Sequence, residues 1–257
     1  MPAVEENRWT LPLLLSFTAG YVDTAGFLAL QGLFTAHVTG NFVTLGASLA
    51  LGTSGAVAKL LALPVFCAVV IAVRLLSSLL SRQVRAVFEV MFGLKMILLI
   101  VGAALAVRFG PFHDSDSWQA ILTGMVLVAA MAIQNAVHRI YLGSAPPTTL
   151  MTGTTTQIMI DFADLILPGG AKSQSKARLT KMSVNGLVFA LGCGAAALSL
   201  HAVSNVVFRA ATDCGRAIAG CAHRGAGGSM IRPDCRTHAP GFGAFLAARA
   251  AKLLAAA

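Results

Sequence analysis

Charge is what this chain has least of. Asp, Glu, Lys and Arg make up 11% of its 257 residues, against about 25% in an average soluble domain. A water-solvated globule is excluded on that ground. The five cysteines, Cys67, Cys193, Cys214, Cys221 and Cys235, are odd in number and form no C-x-x-C pair. A disulfide framework is not expected in a chain that is neither short nor evidently exported, and Cys67 and Cys193 read as small apolar filler. H-E-x-x-H, G-x-S-x-G and Walker sequences are absent, which counts against the common hydrolases and against ATP-driven transport within this chain. The sequence predicts no enzyme activity, no cofactor and no metal.

What the chain has instead is apolar length. Hydrophobic residues account for 56% of it and the mean hydropathy is +0.77. About 20 apolar residues cross a hydrocarbon core as a helix, and five stretches meet that length: Leu11 to Phe34, Leu60 to Leu80, Phe88 to Val107, Trp118 to Ile140 and Met182 to Val203. The expected fold is an all-α polytopic membrane bundle whose first partner is the lipid bilayer. Residues 1–10 hold Glu5, Glu6 and Arg8 and lack both a basic n-region and an Ala-x-Ala site, so Leu11 onward reads as a retained helix rather than a signal peptide. A net charge of +9 does not signal nucleic acid, because up to Val207 the basic residues gather at helix ends in the pattern of a membrane protein.

One phrase occurs twice. Thr35-Ala36-His37-Val38-Thr39-Gly40-Asn41 is followed 113 positions later by Thr148-Thr149-Leu150-Met151-Thr152-Gly153-Thr154. Upstream of each lies one polar position in an apolar stretch, Asp23 and then Asn135, 112 positions apart. The segments that follow, His37 to Gly52 and Leu150 to Leu167, are too short for a comfortable crossing and read as half-helices or re-entrant segments. Non-helical backbone at membrane depth survives only where protein or a water-filled cavity covers it. Duplicated units with broken helices are how many transporters build a central site.

If neither Thr-Gly segment crosses, the two units, residues 11–108 and 118–207, lie in opposite orientations. Arg8, Arg82, Arg85, Arg139, Lys172, Lys176, Arg178 and Lys181 then share one side against Lys59 and Arg108, eight to two. If both cross, the split is seven to three. The positive-inside rule therefore favours the inverted arrangement with residues 1–10 cytoplasmic. Residues 208–257 form a basic tail with seven of the nineteen basic residues, and Phe208 to Cys235 has no apolar run long enough to span. An irregular tail is expected there, a truncated or frame-shifted remnant standing where a three-plus-three repeat demands a sixth span.

Phe17-Thr18-Ala19-Gly20-Tyr21-Val22-Asp23, Phe34 to Asn41, Ile133-Gln134-Asn135-Ala136 and Thr149 to Thr154 together resemble the signature segments of the YoaK-like family of bacterial inner-membrane proteins. It is a domain-of-unknown-function family. The resemblance spans roughly Leu11 to Val203 and implies about six membrane helices in the bacterial cytoplasmic (inner) membrane, with no substrate or activity to carry over. The family's last apolar helix has no counterpart here.

An ionised carboxylate at mid-span costs at least about 2.5 kcal/mol, so Asp23 reads as an interior binding or proton-transfer group, weighed against a protonated or hydrogen-bonded packing residue. Asn135 is interhelical glue or part of the same site. Thr39 or Thr152 could cap a half-helix while Gly40 and Gly153 let the backbone turn, leaving helix N–H groups for an anion or carbonyl; close helix packing is the plainer role for both glycines. His37 reads as an interfacial histidine. Arg74 and Lys95 read as snorkelling side chains, His113-Asp114-Ser115-Asp116 as a solvated loop, and Cys214, Cys221, His223, Cys235 and His238 as soft-ligand residue types whose irregular spacing makes no metal site.

The site predicted from sequence is thus Asp23, Thr39, Gly40, Asn41, Gln134, Asn135, Thr152, Gly153 and Thr154, at the interface of two repeats. It suits a transporter or permease-like protein with a small polar or anionic substrate. A non-transporting structural or regulatory membrane protein is the alternative, and a membrane-embedded enzyme a third.

Overall fold

A computed structural model describes residues 10–79, 84–149, 151–167 and 172–225. Among them no strand occurs. Seven helices follow one another: α1 Thr10–Ala29, α2 Asn41–Leu51, α3 Ala56–Leu79, α4 Val84–Phe109, α5 Trp118–Tyr141, α6 Met151–Ile166 and α7 Lys172–Gly225, with a 3₁₀ turn at Val38–Gly40 leading into α2. Five of them contain segments long and apolar enough to cross a membrane, and they match the five stretches read from the sequence. Leu79, Val43 and Leu51 are at least three-quarters exposed. A bundle that shows such side chains outward has hydrocarbon for solvent.

The first span is shorter than the apolar run suggests. Gln31 takes a left-handed φ of 51° and Gly32 one of 91°, and Gly32 N–H closes back onto Phe27 O at 2.8 Å. That is a left-handed helix stop, which glycine makes cheaply. α2 stops likewise at Gly52, φ 64°. The loop His113 to Asp116 is structural: Asp116 accepts from Gly55 N (2.8 Å), Val57 N (3.0 Å) and Ala58 N (3.3 Å) and so caps the first turn of α3.

Contacts fix the helix directions. Leu15 of α1 meets Gln134 of α5, while Leu30 and Leu33 just after α1 meet Gly124, so α1 and α5 are antiparallel. Phe88 packs on Tyr141 and Phe109 on Trp118, so α4 and α5 are antiparallel too. Ser16 bonds Asn185, and Gly20 and Gly192 bring α1 and α7 into backbone contact, an added Cβ on either lying 2.2 Å from the facing carbonyl oxygen of Phe189 or Phe17. These two helices are parallel. α5 is the central one, with 61% of its apolar window buried against 39% or less in the other spans.

Directions and loop contacts decide the two short helices. Ser54 Oγ donates to Gln31 Oε1 at 2.7 Å, and Gln31 Nε2 reaches the carbonyls of Phe112 and His113 at 3.3 and 3.0 Å. The chain therefore leaves α1 and starts α3 at one end of the bundle, and α2 does not cross. α5 ends, and α7 begins, at the opposite end; α6 returns to where it started. Each short helix turns back to the end of the bundle from which its loop set out, α2 at one end and α6 at the other.

The described chain divides into two units, one up to Ala197 and one from Leu198 onward. Residues 208–225, expected to be irregular, continue α7 to Gly225. This corrects the expectation: Arg209, Ala210, Ala211, Arg216, Ala217 and Ala219 are strong helix formers, and helix needs no apolar face to persist. The rest of the tail, residues 226–257, lies outside the described residues, with Cys235 and His238.

Candidate functional site: two polar centres

The first centre is a loop wrapped on a carboxylate. Asp23, 4% exposed on α1, accepts at Oδ1 from the backbone N–H groups of Thr35 and Ala36, each at 2.7 Å. His37 Nδ1 lies 2.6 Å from its other oxygen. Asp23 stands eight residues before Gln31, so the loop dips about 12 Å back beside α1 to reach it. Asn41 holds the same loop from the other side, accepting from Phe34 N and donating to Phe34 O, both at 2.8 Å. The His37 ring sits edge-on to Phe34 and to Phe189 of α7.

The second centre has the same plan without the charge. Thr149 Oγ1 donates to Asn135 Oδ1 at 2.6 Å, a separation of 14 residues, as in the Asp23–His37 pair. Gln134 Nε2 reaches Leu15 O at 2.9 Å and Thr148 Oγ1 at 3.2 Å, and Asn185 Nδ2 reaches Pro147 O at 2.7 Å. Asn135 lies seven residues before Leu142, which puts this dip at about 10 Å.

Each re-entrant helix is also tied to the span after it. Lys59 Nζ of α3 donates to Ser48 Oγ of α2 at 2.5 Å. Arg178 of α7 grips Asp161 of α6 through Nε, 2.8 Å from Oδ2, and through Nη2, with Gln157 Nε2 2.9 Å from the same carboxylate. Ser48 and Asp161 are 3% and 0% exposed, and each stands eight positions after its Thr-Gly glycine. Sequence reading passed over these anchors; the 113-residue offset that matched Gly40 to Gly153 also matches Ser48 to Asp161, and would have found them.

The Thr-Gly pairs do not play the part expected of them. Gly40 precedes α2 with right-handed φ of −62° and no side-chain cap, while Thr39 and Thr152 are exposed. A Cβ on Gly40 would come 3.0 Å from the Phe34 ring, whereas around Gly153 nothing lies within 4 Å. Neither glycine turns the chain; Gln31 and Gly32 do that earlier. The convergent N–H groups anticipated at a helix start are those of Thr35 and Ala36, a backbone concavity for an anion, and Asp23 fills it. Asn41 and Thr154 are both buried at 2%. Between the centres Ala19, Ala36 and Met131 pack with Val22 and Phe189.

Lys95 does not snorkel. It is 2% exposed, near the middle of its span, whereas Arg74 is exposed.

The family description "Protein of unknown function (DUF1275)" matches residues 11–218. The chain is 31% identical over 192 residues to the "UPF0700 transmembrane protein YoaK" of Bacillus subtilis (strain 168), covering 72% of this chain and 80% of that one. No solved structure matches it. With the helical spans, these similarities identify a multi-pass membrane protein that belongs to the YoaK-like DUF1275 family, whose function is unknown.

Proposed function

We propose that this protein is a transporter or permease-like protein of the bacterial inner membrane, built on an internal inverted repeat, with a polar site where the repeats meet. The observation that carries the reading is the pair of re-entrant segments, which enter from opposite ends and stop at Asp23 and at Gln134-Asn135. Interrupted backbone at membrane depth is costly, and in transporters it marks the place where substrate and coupling ion bind. The repeat reading is supported by a common offset of 113 at three levels, the Thr-Gly pairs, Asn41 with Thr154, and Ser48 with Asp161, and by one of 112 between Asp23 and Asn135. The substrate proposed is small and polar or anionic. The packed contact of Ala19, Ala36 and Met131 favours a second reading, a non-transporting protein that regulates or braces partners; under the first reading the same contact is a closed state.

Uptake into proteoliposomes separates the two readings, and Asp23→Asn tests the coupling role. The amide keeps an acceptor for Thr35 and Ala36 and removes the charge, so the variant inserts and folds while ion-coupled uptake into proteoliposomes is abolished. Uptake unchanged by Asp23→Asn leaves Asp23 as a loop pin only.

The charge split gives the orientation. Under it the N-terminus and the Lys172 to Lys181 segment face the cytoplasm, so a cysteine placed at the exposed Ser173 resists an impermeant thiol reagent added outside intact cells and reacts after permeabilisation. Labelling from outside reverses the orientation.

A further inference from the structure

Two buried polar groups on adjacent helices are each without the partner they need. Lys95 of α4 is 2% exposed. Among the described residues its ammonium has no carboxylate and no hydrogen-bond acceptor, only the Phe92 ring 5.4 Å away. Gln134 of α5 is also 2% exposed, and while its Nε2 is paired its Oε1 has no donor. Register places them at one level. Phe88 opposes Tyr141 and Phe109 opposes Trp118, with Gly102 against Val126 and Leu127 between them, which sets Lys95 opposite Ile133 and Gln134. Met91 and Leu98, one turn to either side of Lys95, pack in the cluster that holds Ile133, Ala136 and Val137.

A buried cation in a membrane span is costly and is normally matched by an acceptor or marks a ligand path. A buried amide oxygen without a donor carries a further cost. One guest answers both: an anion whose charged oxygen accepts from Lys95 and whose own hydroxyl donates to Gln134 Oε1. Water could bridge the two groups but would leave the charge uncompensated. We propose that Lys95 and Gln134 form the anion-binding part of the second polar centre, and that the ligand is a small protic oxyanion of the hydroxycarboxylate kind. The assignment rests on the transporter reading for its purpose and deepens it by naming the substrate class. It also accounts for the difference between the centres: the first holds its own carboxylate on Thr35 and Ala36, and the second has Asn135 where Asp23 stands and a spare cation beside it.

The test is thermal unfolding of the purified full-length protein in detergent, with sodium glycolate replacing sodium chloride at constant ionic strength. Glycolate is expected to raise the midpoint by about 2 °C or more as it saturates. Lys95→Met, which removes the unpaired charge and keeps the volume, should unfold no earlier than the parent without glycolate and show no rise with it, whereas Lys95→Arg should keep a rise. No response in the parent, an equal response in Lys95→Met, or earlier unfolding of Lys95→Met without glycolate overturns the proposal. Proteoliposomes separate it from the transporter reading. A Lys95-dependent glycolate response with no uptake keeps the site and removes transport; uptake indifferent to Lys95→Met keeps transport and removes the site.

Discussion

Gly192→Val should prevent α7 from seating on α1. A Cβ at Gly192 would stand 2.2 Å from the carbonyl oxygen of Phe17 and 3.0 Å from the amide nitrogen of Tyr21, and backbone in mid-helix cannot rotate aside as a side chain would. The helices must separate by about 1 Å, which forfeits a large part of the dispersion attraction along the contact. Separation also pulls on the Ser16–Asn185 bond of 2.7 Å and on the ring of Phe189 over His37. Overpacking costs about 1 to 3 kcal/mol where side chains can yield, and this site falls at the upper end or beyond. Gly186 and Gly194 on the same helix are the controls, since nothing lies within 4 Å of a Cβ at either. Thermal unfolding in detergent should show a large loss for Gly192→Val and little change for Gly186→Val or Gly194→Val; equal behaviour of all three would refute the close crossing.

Breaking the Asp161–Arg178 pair should be lopsided. The Asp161 side chain is fully buried and that of Arg178 is 42% exposed, so the two deletions leave unlike remainders. Arg178→Met leaves the carboxylate with Gln157 as its remaining donor among the described residues, and removing one partner of a covered ion pair costs more than the pair itself contributes. Asp161→Ala leaves an arginine that can turn to water, at a smaller cost. Combining Arg178→Met with Asp161→Asn should recover much of the first loss, because the amide needs no counter-charge. Equal destabilisation by the two single variants would mean that the carboxylate is solvated.

Chain composition was enough to read the spans, because a membrane helix is announced by length and apolarity alone. Their ends were less legible. The run from Leu11 to Phe34 is continuous in hydropathy, and only the pair Gln31-Gly32 interrupts the helix, with a glutamine in a left-handed position that no propensity would nominate. Asp23 was legible as a residue that needs company. Its company was hidden, being two main-chain N–H groups and His37, whose place in the second Thr-Gly phrase is taken by Leu150. The Thr-Gly pairs attracted notice as the repeated words, yet the hydrogen bonds that shape the loops belong to the residues before them and to Asn41. Lys95 was misread because distance along a helix from its end does not reveal which face is covered. The helical stretch past Phe208 was missed since absence of an apolar face excludes a crossing, not a helix.

The end of the bundle where α2 turns back is assembled from distant chain. Gln31 is joined to Ser54 across 23 positions and to His113 across 82, and the first turn of α3 borrows its cap from Asp116, 61 residues after Gly55. A ribosome delivers these in order. When α1, α2 and α3 have emerged, the amides of Gly55, Val57 and Ala58 still lack their acceptor, and Gln31 has no carbonyl to hold. α2, with eleven residues, is too short to be retained across a bilayer by its own hydrophobicity. Synthesis of α4 must therefore be complete before the first half of the molecule can close, so that the first re-entrant segment is finished late although it is made early.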